Sequence, residues 1–319
     1  MKRSTHRSGV GRRTRRGALC ACLGVALLCA ALLSTWLVAC GGEVDESATS
    51  PTALTPSPTE VATVAAPVAL DATATVDVTR EAAEGVMDSY ASGGADTAVP
   101  WYADDAVITD HSNDEVYDKA TWTAFMTQTY QGMETGLVAT YAGEGWATGE
   151  GCNEIPEAVV PHVSVFQVED GQVIAQDLYY SGVASEGTAP MTLAEPPTAA
   201  DTATACAEVT RAYATALGTA AMDAAAELYS DDVSFLETTS DTALSGPAAV
   251  GMYYEGLFAR SDSFGFSDLR YFAGEGFGAV LWQAGTGAAP GAGVTVLEIR
   301  DGKIARETLY CASGVLPAD

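Results

Sequence analysis

Basic residues are scarce once the first 16 positions are past. Seven of the 15 Lys and Arg residues (Lys2, Arg3, Arg7, Arg12, Arg13, Arg15, Arg16) fall there, which leaves eight against all 42 acids from Gly41 onward. A surface with that balance repels phosphate backbones and anionic head groups, so nucleic acid is excluded as a partner. Its plain consequence is solubility, and its sharper one would be a pocket for a weakly cationic molecule. Histidine is rarer still, with three residues in 319. No His, Cys, Asp or Glu cluster has metal-ligand spacing, and neither a P-loop nor a dinucleotide fingerprint occurs. No metal and no cofactor are therefore expected.

No acid precedes Glu43, and the basic start runs into the apolar stretch "GALCACLGVALLCAALLSTWLVAC" followed by Gly41-Gly42. That is a targeting segment rather than part of a fold. Leu37-Val38-Ala39-Cys40 resembles the bacterial lipobox, which implies cleavage before Cys40 and its lipidation, with the chain held at a cell membrane on the extracytoplasmic side. A spanning anchor is the alternative, since the run is nearly long enough to cross a bilayer. Residues 1–40 are read as the signal peptide. Residues 41–76, rich in Thr, Ala, Pro and Ser, cannot bury enough apolar surface to fold and read as a disordered linker.

The remainder of the chain is written twice. "YADDAVITD" (102–110) parallels "YSDDVSFLE" (229–237), "AGEGW" (142–146) parallels "AGEGF" (273–277), and "EDGQVIAQDLYYSG" parallels "RDGKIARETLYCASG". Order and spacing both hold, so residues 77–184 and 203–316 are two copies of one domain joined by a linker at 185–202. Each copy opens with Ala-rich helical periodicity, passes through a short strand and a third helix, and ends in alternating runs that form a meander. Asp170-Gly171 and Asp301-Gly302 mark tight hairpins. The fold class is therefore α+β, a curved antiparallel sheet wrapped over three N-terminal helices in each copy. The two "AGEG" phrases read as bends in the strand after the third helix. Cys206 and Cys311 have no counterparts in the first copy, so they are expected to form a disulfide with each other, leaving Cys152 single in a loop.

"WYADDAVITDH" and "LYSDDVSFLE…LSGPAAVGMYYEGL" resemble the NTF2-like superfamily of cone-shaped domains, which includes SnoaL-like polyketide cyclases and ketosteroid isomerases. The resemblance covers about two thirds of the chain, implies the fold, and leaves activity open because that fold hosts many functions. It places a general-base carboxylate at Asp110 and Glu237 and a phenol to steady an oxyanion at Tyr213. Such a pair suits proton abstraction beside a carbonyl. The second buried acid of the isomerases is replaced by Ser164 and Thr295. A His/Asp arrangement of cyclase type would draw on Asp110, His111, His162 and Asp177. Tyr254, Trp282, Thr295 and Tyr310 in the second copy, with His111, Trp122, Ser164, Asp177 and Tyr179 in the first, are the expected ligand-lining residues. The resemblance leaves two functions open: a lipoprotein whose tandem domains bind a small apolar molecule or a protein partner, or a cofactor-free proton-transfer enzyme with its site in the second copy. The two domains are also expected to pack as a pseudo-dimer within the chain.

Overall fold

The structure, a computed structural model, describes residues 75–92, 94–129, 134–155, 158–181, 202–240, 242–261, 264–285, 290–312 and 314–316. Residues 1–40, expected to be a targeting segment ending at Cys40, and nearly all of the two expected linkers lie outside them. Among the described residues no helix is long and apolar enough to cross a membrane.

In the first copy the elements are α1 (Val76–Ala91), α2 (Ala95–Ala98), β1 (Tyr102–Asp110), β2 (Glu115–Asp118), α3 (Lys119–Thr129), β3 (Glu134–Ala142), β4 (Trp146–Ile155), β5 (Ala158–Glu169) and β6 (Gln172–Tyr180). The second repeats the order as α4 (Ala203–Gly218), α5 (Met222–Ala226), β7 (Tyr229–Glu237), β8 (Thr242–Ser245), α6 (Pro247–Ala259), β9 (Gly265–Gly274), β10 (Phe277–Gly285), β11 (Gly291–Arg300) and β12 (Lys303–Cys311). The long helices start alike. Thr75 and Thr202 each turn a side-chain oxygen to the amide three residues on, satisfying a donor that the first turn leaves open. Their apolar faces recur at helical spacing: Ala82, Val86, Met87 and Tyr90 in α1, and Cys206, Thr210, Tyr213 and Leu217 in α4.

Two six-stranded sheets result, ordered β2-β1-β6-β5-β4-β3 and β8-β7-β12-β11-β10-β9. The meander strands are antiparallel, and the aspartate-glycine hairpins form as expected, with Asp301 and Gly302 both at positive φ (52° and 70°). The sheets are nevertheless mixed. β1 runs parallel to β6, and β7 parallel to β12. A parallel pair needs a long return connection, which the third helix and the meander supply, and no local sequence pattern marks it. Tyr102 opens β1, as Tyr229 opens β7. The two aspartates after Tyr102 fall where the register shifts, between Tyr102 and Val107, and both are exposed.

Each sheet curls over its helices to form a cone. The second cone's core gathers Tyr213, Leu217, Phe235, Tyr254, Phe266, Trp282 and Leu309, the first Val86, Met87, Ile108, Trp122, Phe166 and Leu178. Burying each such side chain contributes about 1.5–3 kcal/mol. β10 and β11 are buried almost without alternation. An open antiparallel sheet would alternate, so both faces are covered. The inner face meets its own helices. The outer face meets the outer face of the other sheet, where Val163, Val165 and Tyr179 share a cluster with Phe277, Leu281, Val294, Val296 and Tyr310.

The repeated phrase sits on this seam. A Cβ on Gly143 would stand 2.7 Å from the carbonyl oxygen of Ala273, and one on Gly274 would stand 2.5 Å from that of Ala142. The phrase is therefore where the two copies touch backbone to backbone, rather than a bend within a strand. Its second glycine, Gly145 or Gly276, takes the positive φ of the hairpin turn (72° and 75°).

Candidate functional site

The last strand of the second cone alternates faces. Arg306, Thr308 and Tyr310 point to the outer side, while Glu307, Leu309 and Cys311 point inward. Glu307 is thereby carried to the middle of the cone, where it has no exposed surface. Three phenols close on it. Tyr213 donates to one carboxylate oxygen at 2.6 Å, Tyr229 to the other at 2.6 Å, and Tyr254 donates to the oxygen that Tyr213 uses. Tyr213 and Tyr254 also touch through their hydroxyls at 2.9 Å. Burial raises the pKa of Glu307, and the three hydrogen bonds oppose that rise without cancelling it. The phenols are themselves pushed well above their ordinary value, by burial first and by the Glu307 charge second.

Tyr213 thus faces Glu307, not the expected base. Glu237 is buried at the end of β7, and its carboxylate accepts from the amides of Thr239 (2.6 Å) and Ser240 (3.0 Å) and from the Ser240 hydroxyl. Asp110 does the same in the first cone, taking Ser112 N at 2.9 Å and Asn113 Nδ2 at 2.7 Å. Both acids cap the turn that comes after them, which occupies the lone pairs a base would need. Glu237 and Tyr213 therefore do not form the expected base–phenol pair.

Residues 209–307 match the family model for a SnoaL-like domain. The second cone is a SnoaL-like domain. Its six-stranded mixed sheet and helices, repeated in the first cone, make the chain a tandem of α+β NTF2-like domains. Solved structures similar to the chain include an NTF-2 like protein of unknown function from Burkholderia xenovorans (17% identity, covering 36% of this chain and 89% of that one, TM-score 0.32). A second is a protein with a ketosteroid isomerase-like fold from Catenulispora acidiphila, in complex with trimethylamine (15%, 32% and 87%, 0.29). A third is an LEH-like epoxide hydrolase from M. tuberculosis (18%, 33% and 84%, 0.29). No curated protein of similar sequence was found.

The SnoaL-like cone also holds Trp282 and Thr295 inside, with the indole donating to the threonine hydroxyl at 3.0 Å. The first cone replaces Glu307 by Gln176 at the same place on its last strand. There the chain of hydrogen bonds runs from Trp122 through Tyr90 and Tyr102 to Gln176 Oε1, and from Gln176 Nε2 to Ser164 at 2.9 Å. An acid with three phenols in one cone thus becomes a neutral amide in the other. The fold accepts either.

Four expected ligand-lining residues lie elsewhere. Tyr179 and Tyr310 are on the outer faces of the sheets, in the seam between cones, because residues of their parity on β6 and β12 turn away from the helices. His111 and Asp177 do come together, at 2.7 Å, with His111 stacked on Tyr179 at 4.6 Å. This pair is also outside the cone. Asp110 binds its turn instead, and His162 faces the first cone's interior, where burial lowers its pKa to about 4 and keeps the ring neutral. The expected disulfide is absent: Cys311 is a thiol, raised to about 12 by burial. Thr79, the first-cone counterpart of Cys206, accepts from the amide of Gly145 at the β3–β4 turn, whereas Cys311 lies at the far end of the last strand beside Thr239. Cys152 is on β4 and buried, not in a loop. Among the described residues no group of three or more His, Cys, Asp or Glu side chains could hold a metal ion.

Glu307 fixes a pH dependence. Its folded pKa lies above the ordinary 4.5, so the folded state holds the proton more tightly than the unfolded chain. Its cost to stability is absent at low pH and grows as pH rises from the unfolded to the folded value. Glu307→Gln, copying the first cone, removes that dependence. In urea unfolding from about pH 5 to about pH 8, wild type is expected to lose more stability than the variant. Parallel curves would show that Glu307 is not buried as an acid.

Proposed function

We propose that the chain is an extracytoplasmic binding lipoprotein, held to a membrane through Cys40, whose SnoaL-like second cone receives a small apolar molecule. The observation that carries this reading is the enclosure of Glu307. This acid reaches the middle of the cone with both oxygens taken by phenols, and Glu237 is taken by its own turn. What remains to meet a ligand is an aromatic wall in two ring clusters, Phe235 with Tyr253 and Phe258, Phe264, Phe266 with Trp282, bridged by the Tyr254 ring. Such a wall suits an apolar body. The two cones act together as a pseudo-dimer inside one chain.

A second reading is a proton-transfer enzyme of isomerase or cyclase type. It is favoured by the raised pKa of Glu307, which would then be the base in place of Glu237.

Native mass spectrometry of the protein extracted in detergent from membranes of its source cells separates them. The binding reading expects a chain that begins at an acylated Cys40 and retains a small apolar ligand, and it expects Glu307→Gln to retain that ligand too. A chain without ligand that turns over a carbonyl substrate, and loses that turnover in Glu307→Gln, would overturn it.

A further inference from the structure

The seam between the cones has approximate two-fold symmetry, and its most deeply buried charges depart from it. A shift of 131 positions (274 − 143 = 131) exchanges the two halves of each contact. Tyr141 stacks on Phe277 at 5.4 Å, and their counterparts Phe272 and Trp146 stack at 5.1 Å. Gly143 against Ala273 becomes Gly274 against Ala142. The valines at 163 and 165 become those at 294 and 296.

The exception is a buried ion pair. Glu150, on β4 of the first cone, has no exposed surface, and Arg306 of the second cone grips it with two nitrogens, at 2.6 Å and 3.2 Å. Tyr310 donates to the same carboxylate at 2.7 Å, and Arg306 also donates to Tyr141 at 2.8 Å. Burial works against the Arg306 charge, but Glu150 outweighs it and holds the guanidinium pKa well above its ordinary value. The symmetry-related positions carry no charge. Glu150 maps onto Leu281, Arg306 onto Ala175, Tyr141 onto Phe272, and Tyr310 onto Tyr179.

We infer that the Glu150–Arg306 pair is a recognition code that directs each cone to the unlike cone and prevents either from pairing with its own kind. The inference rests on the pseudo-dimer reading of the chain. The two faces present equivalent apolar residues to the seam, so a like pair is geometrically available. Two first cones face to face would bury two Glu150 carboxylates, each opposite Ala175 where the cation belongs. Two second cones would bury two Arg306 guanidiniums, each opposite Leu281 with only Glu298, at 3.4 Å on their own sheet, as counter-ion. Lone buried charges are costly, whereas an apolar pair at the same place is nearly neutral. Specificity therefore comes from the penalty on the wrong pairing. The exported chain, with two similar faces, thereby avoids open-ended association with other copies of itself.

Two measurements test it. A protease site in the linker at 185–202 allows the folded chain to be cut and its halves tracked by native mass spectrometry. Wild type is expected to stay as unlike pairs only. Cut Glu150→Leu/Arg306→Met is expected to redistribute towards the statistical limit, with about half of the complexes as like pairs. Wild-type halves that scramble, or variant halves that remain unlike only, overturn the code. Wild-type halves that separate into single cones overturn the pairing beneath it.

The second measurement uses the uncut chain. A Glu150→Arg chain and an Arg306→Glu chain each place like charges in their own seam, and only exchange of cones between them restores both pairs. Mixing is expected to give one-to-one dimers that neither gives alone, seen by light scattering. A mixture that behaves as the sum of its parts contradicts the inference.

Discussion

Glu150→Ala is expected to destabilise the folded chain by about 3 kcal/mol or more, among the largest effects of any single change in the molecule. The carboxylate itself contributes little of this. What matters is what stays behind: a buried Arg306 that loses two hydrogen bonds and its main counter-ion, and Tyr310, whose hydroxyl loses its acceptor. Glu298 remains near Arg306 at 3.4 Å and limits the loss. Equilibrium urea unfolding of the variant against wild type measures it. A change within about 0.5 kcal/mol, as for an ordinary exposed site, would mean that the two sheets do not bury this pair.

Gly274→Ala comes next. Its new methyl would fall 2.5 Å from the carbonyl oxygen of Ala142 and 2.2 Å from the Phe277 ring. The ring can swing aside; the carbonyl belongs to a paired strand of the other cone and cannot. The seam must open, at a cost of about 1–3 kcal/mol. Gly143→Ala meets the mirror-image carbonyl of Ala273 at 2.7 Å, so a loss of similar size is expected there. Alanine at Gly256, which faces open space on α6, is the control and should raise stability slightly by helix propensity. Thermal unfolding of the three variants orders them. If the two seam variants match the control, the backbones are not in contact.

Much of the architecture was legible in the residues. Repetition revealed two copies, aspartate-glycine pairs fixed the hairpins, and periodicity placed the helices. The parallel pairing of β1 with β6 was not, because the partner of a first strand is chosen by tertiary closure rather than by any neighbouring residue. The seam was hidden for a similar reason: the glycines of "AGEG" are explained only by the opposite copy.

The site was half legible. Tyr213, Tyr254, Trp282, Thr295, Trp122 and Ser164 do face the cone interiors. Alternation along "RETLYC" already separates Glu307, Leu309 and Cys311 from Arg306, Thr308 and Tyr310, so the inward acid could have been read from the strand. Family positions drew attention to Glu237 instead. Its role as a cap was also readable, since Thr239 and Ser240 come after it as Ser112 and Asn113 come after Asp110. Arg306 and Glu150, 156 positions apart, carry no local signal at all.

The tandem is held together where the outer faces of the two sheets meet, with one acid and one base between them. Coupling between Glu150→Leu and Arg306→Met is the most direct probe of that meeting. Each substitution alone is expected to lower the free energy of unfolding by about 3 kcal/mol, and the two together to bring it back close to wild type. Losses that simply add would mean the side chains act independently, and the cones would not be joined as described.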